Sequence, residues 1–194
     1  MTTARRLHHS YEEYLAALEV SDVKLEYCDG EIYAMAAGTP AHADLAAAAI
    51  RLLGTSLLGR GRVSTSDLKV RIEATGLSTF PDVSVVCGER ELARIDRNAI
   101  TNPTLLVEVT SKSTEDYDRG EKLKHYQQCP SLRAVLFVSH RCPQVTVVSR
   151  NGAGWDTHEY RRGERVEVPA LALAFSLDEL YFDIALDDGE NTAH

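Results

Sequence analysis

Between 42 and 58 the chain is rich in Ala and Leu, with Leu45, Ala49, Leu52 and Leu53 recurring at helical spacing. The pattern predicts a helix, opened by Thr39 or Pro40, with one apolar face to lie on a sheet. Upstream, Ser10-Tyr11-Glu12-Glu13 has the form in which Ser and Glu cap a helix start, predicting a short helix to about Leu18. Segments 23–28 and 31–36 flank Asp29-Gly30, a pair that tolerates positive φ and predicts a tight hairpin. Strands are predicted over 63–72, 80–86 and 104–110, with a helical turn over 89–96. A helix follows from Ser113-Thr114-Glu115-Asp116, acids at its positive end, to about Gln128, where Pro130 stops it. Gly120 inside it costs about 1 kcal/mol relative to Ala. Segments 134–139 and 144–149 predict a second hairpin, and 155–160 and 165–168 weaker β segments. The order helix, three strands, helix, strand predicts an α/β (α+β) fold: a mixed sheet flanked by helices, with an added N-terminal hairpin and C-terminal β segments.

Two strand-like runs are each broken by one acid. Phe80-Pro81-Asp82-Val83-Ser84-Val85-Val86 contains Asp82, and Thr104-Leu105-Leu106-Val107-Glu108-Val109-Thr110 contains Glu108. An unpaired buried carboxylate costs several kcal/mol. On adjacent strands in register the two acids would meet at about 5 Å, a separation suited to one shared divalent cation. Mg²⁺ or Mn²⁺ is the expected ion, since both prefer all-oxygen sites. Taken singly, Asp82 also reads as a strand-end turn or helix cap, and Glu108 as half of a buried ion pair. On the next helix Asp118, Lys122 and Tyr126 fall at i, i+4 and i+8 and share a face, whereas Lys124 points elsewhere.

Composition bounds the reading further. With 194 residues, 44% of them hydrophobic, the chain suffices to bury roughly 70% of its unfolded surface in one core, so one domain over 1–194 is expected, with a core at 10–182 and a flexible acidic tail at 183–194. No run of about 18 apolar residues is present and the first residues have no apolar centre, so neither a membrane span nor a signal peptide is expected, and a cytoplasmic location is. Cys28, Cys87, Cys129 and Cys142 are far apart, which predicts reduced, mostly buried thiols. The net charge of −8 argues against nucleic acid. Seven acids and no Lys or Arg follow Arg165, however, which leaves 22 acids against 21 bases over 1–165. The basic groups Arg60, Arg62, Lys69, Arg71 and Arg119, Lys122, Lys124, Arg133 read as solvated faces, so no long sequence-reading footprint is predicted.

The joint set Leu25-Glu26-Tyr27-Cys28-Asp29-Gly30-Glu31, His42 at a helix start, Pro81-Asp82-Val83, Val107-Glu108-Val109-Thr110-Ser111-Lys112-Ser113-Thr114 and Asp118-Arg119-Gly120-Glu121-Lys122 with Tyr126 resembles the PD-(D/E)XK nuclease superfamily. More closely it resembles the Uma-two family of restriction-endonuclease-like proteins, over roughly residues 10–182. One departure stands out: the superfamily pattern places Lys two residues after Glu108, where this chain has Thr110. The resemblance implies that Lys122 takes that part, with Lys112 and Lys124 as weaker substitutes. It also raises Glu26, otherwise a solvent-facing strand acid, and His42, otherwise a capping or surface residue. The implied function is a Mg²⁺-dependent DNA endonuclease in which Asp82 and Glu108 hold the ion, Lys122 assists, and Glu26 and His42 complete the polar shell; a homodimer is expected for cutting two strands. The rival is a non-catalytic nucleic-acid-binding or assembly protein that keeps the fold.

Overall fold

The computed structural model describes residues 8–111 and 114–187. Helix α1 (Tyr11–Val20) leads to β1 (Leu25–Cys28), β2 (Glu31–Ala34), α2 (Pro40–Ser56), β3 (Arg62–Thr65), β4 (Lys69–Ile72), β5 (Leu77–Thr79), β6 (Val83–Val86), β7 (Ala99–Ile100) and β8 (Leu105–Thr110). A helix in three parts follows: α3 (Glu115–Tyr117), a π-helical turn (Asp118–Lys122) and α4 (Leu123–Gln127). The chain continues through β9 (Ala134–Ser139), β10 (Gln144–Asn151), β11 (Gly154–Arg161), β12 (Arg165–Val168), a 3₁₀ turn (Pro169–Leu171), β13 (Leu173–Ser176) and α5 (Leu177–Leu180).

Local chemistry explains the starts and turns. Ser10 and Glu13 form the reciprocal cap of α1, and Thr39 caps α2 ahead of Pro40. Asp29 and Gly30 both take positive φ, 46° and 85°, which lets a two-residue turn match the twist of β1 and β2.

A six-stranded sheet of order β11-β10-β9-β8-β6-β3 is the central layer, with β8 and β9 parallel and its other pairs antiparallel. Because strand residues alternate faces, Leu105, Val107 and Val109 of β8 join a core with Leu45, Ala49, Leu52 and Leu53 of α2. Leu106 joins a second core with Val70, Ile72 and Leu77 of the five-stranded sheet, order β2-β1-β5-β4-β7, and with Tyr126 of α4. The architecture is the expected mixed α+β class, and α2, β3, β6, β8, the three-part helix and β9 supply the expected order of helix, three strands, helix, strand.

Five expectations need correction. Segment 63–72 is two strands in different sheets, because Ser66-Asp67-Leu68 turns the chain and Leu68 N–H donates to Thr65 O. Segment 89–96 is not helical: it lies along 99–101, with Ala93 N–H donating to Ala99 O and Thr101 N–H to Glu91 O. The described part of the tail is docked rather than loose, since Ile184 and Leu186 pack on the core. All four thiols are free, yet Cys129 alone is buried; Cys87 and Cys142 lie exposed in connections beyond β6 and β9. Lys69 and Lys122 are buried rather than solvated. Among the described residues, no helix is long and apolar enough to cross a membrane.

Lys69 enters a closed polar network: its Nζ lies 2.7 Å from Asp96 Oδ2, which also accepts from Tyr11 Oη at 2.7 Å. Burial pushes the Asp96 carboxyl up, but the Lys69 and Tyr11 hydrogen bonds outweigh it and hold the group below the usual carboxylate range. A depressed folded pKa contributes stability above the unfolded value of about 4 and loses it as pH falls through the folded value. Acid melts of the parent should therefore lose more stability below about pH 4 than those of Asp96→Asn. At neutral pH Asp96→Asn should be less stable by about 3–5 kcal/mol, the cost of a buried Lys69 without its counter-charge. Equal acid slopes would remove Asp96 from this role.

Candidate active site

The antiparallel ladder pairs Val83 with Val107 and Ser84 with Leu106. Extended by one position, it sets Asp82, just before β6, opposite Glu108 on the face of the sheet turned toward β1 and α4. Asp82 Oδ2 accepts from Val109 N–H at 2.7 Å, which ties the loop carboxylate to the β8 backbone. His42, in the first turn of α2, reaches the same oxygen, with Nε2 at 3.2 Å.

Glu108 Oε1 faces two partners from the helix that follows its strand: Lys122 Nζ at 3.0 Å and Tyr126 Oη, which donates at 2.5 Å. Lys122 Nζ also lies 3.4 Å from Glu26 Oε1 on β1 and 3.7 Å from Asp118 Oδ1. Glu26 Oε1 accepts from the Thr79 hydroxyl and, at 3.3 Å, from Phe80 N–H. The structure thus joins Glu26, Glu108 and Lys122 in one network with Asp118, Tyr126 and Thr79, and sets a second pair, Asp82 with His42, beside it across the β6–β8 ladder.

The helix is not a plain α-helix. One π turn spans Asp118–Lys122, the kind of local widening that recurs at functional positions. Asp118, Lys122 and Tyr126 are all buried on the sheet side, whereas the Lys124 side chain is 68% exposed and pairs with Glu121 at 2.6 Å. Lys112, the other weighed lysine, lies outside the described residues.

Burial sets the electrostatics. Exposure rises from 5% for the Lys122 side chain, through 12% for Asp82, to 24% for His42, so the network opens to solvent on the α2 side. Burial is the main force pushing the Glu108 carboxyl up to about 8; the charges of Asp82 and Asp118 add to it, and Lys122 and the Tyr126 hydroxyl oppose it. Burial also dominates at Asp118, which is raised. Burial alone would lower Lys122, but Glu108, Tyr126, Glu26 and Asp118 raise it well above its ordinary value. His42 is raised, first by its hydrogen bond to Asp82. Three buried acids thus face the one ammonium of Lys122.

Asp82 and Glu108 are the two carboxylates that could hold a metal ion. Their hydrogen bonds fall on Asp82 Oδ2 and Glu108 Oε1, and among the described residues Asp82 Oδ1 and Glu108 Oε2 take none. No group of three or more His, Cys, Asp or Glu among the described residues converges on a metal position. An all-oxygen pair of carboxylates suits Mg²⁺, which keeps several waters and is commonly bound by one or two acids.

Two contributors were hidden from sequence reasoning. Thr79 lies on β5, a strand too short to register as a run. Gly38 makes room for His42: a Cβ there would stand 2.7 Å from His42 Nδ1. A Gly four residues before a His at a helix start was the available signal.

Comparison with known proteins bears on the family and the fold. The profile of the Uma2 family, described as "Putative restriction endonuclease", matches residues 11–180. An uncharacterized protein of Synechocystis sp. is 38% identical over 178 residues, covering 91% of this chain and 93% of that one. A second uncharacterized protein of the same organism is 31% identical over 134 residues, 69% of this chain and 76% of its own. A crystal structure from Anabaena variabilis, described as a putative nuclease belonging to DUF820, superposes with a TM-score of 0.71 at 18% identity over 88% of this chain and 96% of that chain. At that identity the likeness bears on the fold alone.

The hydrogen bond from Tyr126 predicts a measurable asymmetry along the helix. Tyr126→Phe removes a donor from a buried carboxylate and should cost about 1–3 kcal/mol in urea denaturation. Lys124→Ala breaks only an exposed pair and should stay within about 0.5 kcal/mol of the parent. Similar losses for the two would contradict the burial and pairing described.

Proposed function

The chain belongs to the Uma2 family, and from that premise we propose that it is a Mg²⁺-dependent DNA endonuclease, with Mn²⁺ as the alternative ion. The observation that carries the reading is the placement of Asp82 opposite Glu108 with the Lys122 ammonium 3.0 Å from Glu108. DNA as substrate rests on the family description.

In this reading Asp82 and Glu108 would hold the ion. When bound, such an ion acidifies water and neutralises charge developing on the phosphorus. Lys122, kept protonated by its acidic neighbours, orients the attacking water or stabilises the negative transition state from a fixed, desolvated position. Glu26 holds the ammonium from the β1 side. His42 and Val109 N–H fix the orientation of Asp82, and Tyr126 fixes that of Glu108. Substrate would enter from the α2 side, where the network is least buried.

A binding protein that keeps the fold is favoured by two observations: Thr110 stands where the superfamily pattern has Lys, and Glu108 Oε1 is already engaged by Lys122 and Tyr126. The two readings part in one assay. The nuclease reading predicts that plasmid DNA is cleaved with Mg²⁺ or Mn²⁺ and left intact with a chelator. It further predicts that Lys122→Ala, assayed where circular dichroism shows it folded, cleaves about 10²-fold or more slowly with DNA affinity nearly unchanged, and Lys124→Ala far less so. Metal-independent DNA binding with no product would favour the binder.

Cutting both strands of a duplex calls for two such sites, and two-fold dimers are the commonest assembly. We therefore propose a homodimer as the working form. Sedimentation should show a dimer at micromolar concentration; monomer alone, with and without DNA, would count against it.

A further inference from the structure

Lys122 is enclosed by three carboxylates that arrive from three separate elements: Glu26 on β1, Glu108 on β8 and Asp118 in the π turn. Their oxygens lie 3.4, 3.0 and 3.7 Å from Nζ, and each of the four side chains is less than one-tenth exposed. The ring of Tyr126 adds a fourth wall, with its centroid 6.0 Å from Nζ. A buried ion pair needs one acid for one ammonium. Three acids around one ammonium is instead the arrangement that carboxylates make around a cation.

We propose that the Lys122 ammonium is a built-in cation at the position a second metal ion would take, so that the site accepts a single divalent ion. The cage, emptied of Lys122, is then a binding site for a small monovalent cation of the ammonium type. Glu108 separates the two positions: Oε1 meets Lys122 and Tyr126, and Oε2 takes no hydrogen bond among the described residues. A divalent ion entering the cage would have to displace a cation tethered to the chain and held by three acids. The count of one divalent ion rests on the proposed metal site, whereas the cage does not.

The cage is tested by thermal melts of Lys122→Ala and Lys122→Met in ammonium chloride and in tetramethylammonium chloride at equal ionic strength. Both variants should melt roughly 10 °C below the parent, as loss of a buried counter-charge implies for a chain of this size. Ammonium should raise the melting temperature of Lys122→Ala by about 3 °C or more over tetramethylammonium, which is too bulky to enter. The parent, and Lys122→Met whose thioether fills the space, should show no such difference. A cooperative melt of Lys122→Ala recovered only in ammonium gives the same support. No ammonium-specific gain, or an equal gain in all three proteins, overturns the cage. The count is tested by calorimetry of the parent with Mn²⁺: one ion per chain is expected, and two would overturn it. A parent that binds no Mn²⁺ would instead sink the nuclease reading and leave the cage to be decided by the melts.

Discussion

The ion network around Lys122 constrains the rest of the site. Three carboxylates and an ammonium, all under one-tenth exposed, are tolerable in a protein interior only while they satisfy one another, because a buried charge that loses its partner costs several kcal/mol. Strand β1, strand β8 and the helix after β8 must therefore keep their mutual positions. The five-stranded sheet, which carries Glu26, is held against the six-stranded sheet, which carries Glu108, by the core of Val70, Ile72, Leu77, Leu106 and Tyr126. Apolar packing brings the elements together, and the ionic network fixes their registration at the site end.

Beside that anchor, across the β6–β8 ladder from Glu108, lie Asp82 and His42. Asp82 lies one residue ahead of β6, where its carboxylate can turn onto Val109 N–H, and the cap at Thr39 sets the start of the helix that presents His42. Gly38 leaves the space that the imidazole occupies. Thr39 is itself steadied from the far end of the chain, since its hydroxyl donates to Asp187 at 2.6 Å. Lys122 is the most deeply buried of these groups and His42 the least, a gradient that leaves the Asp82 side nearer to solvent.

Elements written in local chemistry were legible in the sequence. The capped helix at Ser10, the Asp29-Gly30 hairpin, the Ala-rich helix after Thr39 and the apolar strands around Asp82 and Glu108 each carry their own periodicity or turn signal. Helical spacing also placed Asp118, Lys122 and Tyr126 together. What was not legible depends on tertiary partners. β5 has three residues and owes its existence to β1 and β4 on either side, so no periodicity announces it. Segment 63–72 reads as one strand, and only the division between two sheets reveals the turn at Ser66-Asp67-Leu68. The π turn adds no residue type that a plain helix would lack. The tail looked free because it is acidic, whereas Ile184 and Leu186 dock its described part on the core, a signal that composition averages away.

The central claim is that Asp82 and Glu108 together hold one divalent cation beside Lys122. A crystal grown with Mn²⁺ and measured at a wavelength where manganese scatters anomalously tests it directly. The account predicts one anomalous peak at about 2.0–2.3 Å from a carboxylate oxygen of each residue, lost in Asp82→Ala and Glu108→Ala, with Lys122 Nζ still among Glu26, Glu108 and Asp118. A peak that touches neither carboxylate, or one that persists in both variants, would contradict it.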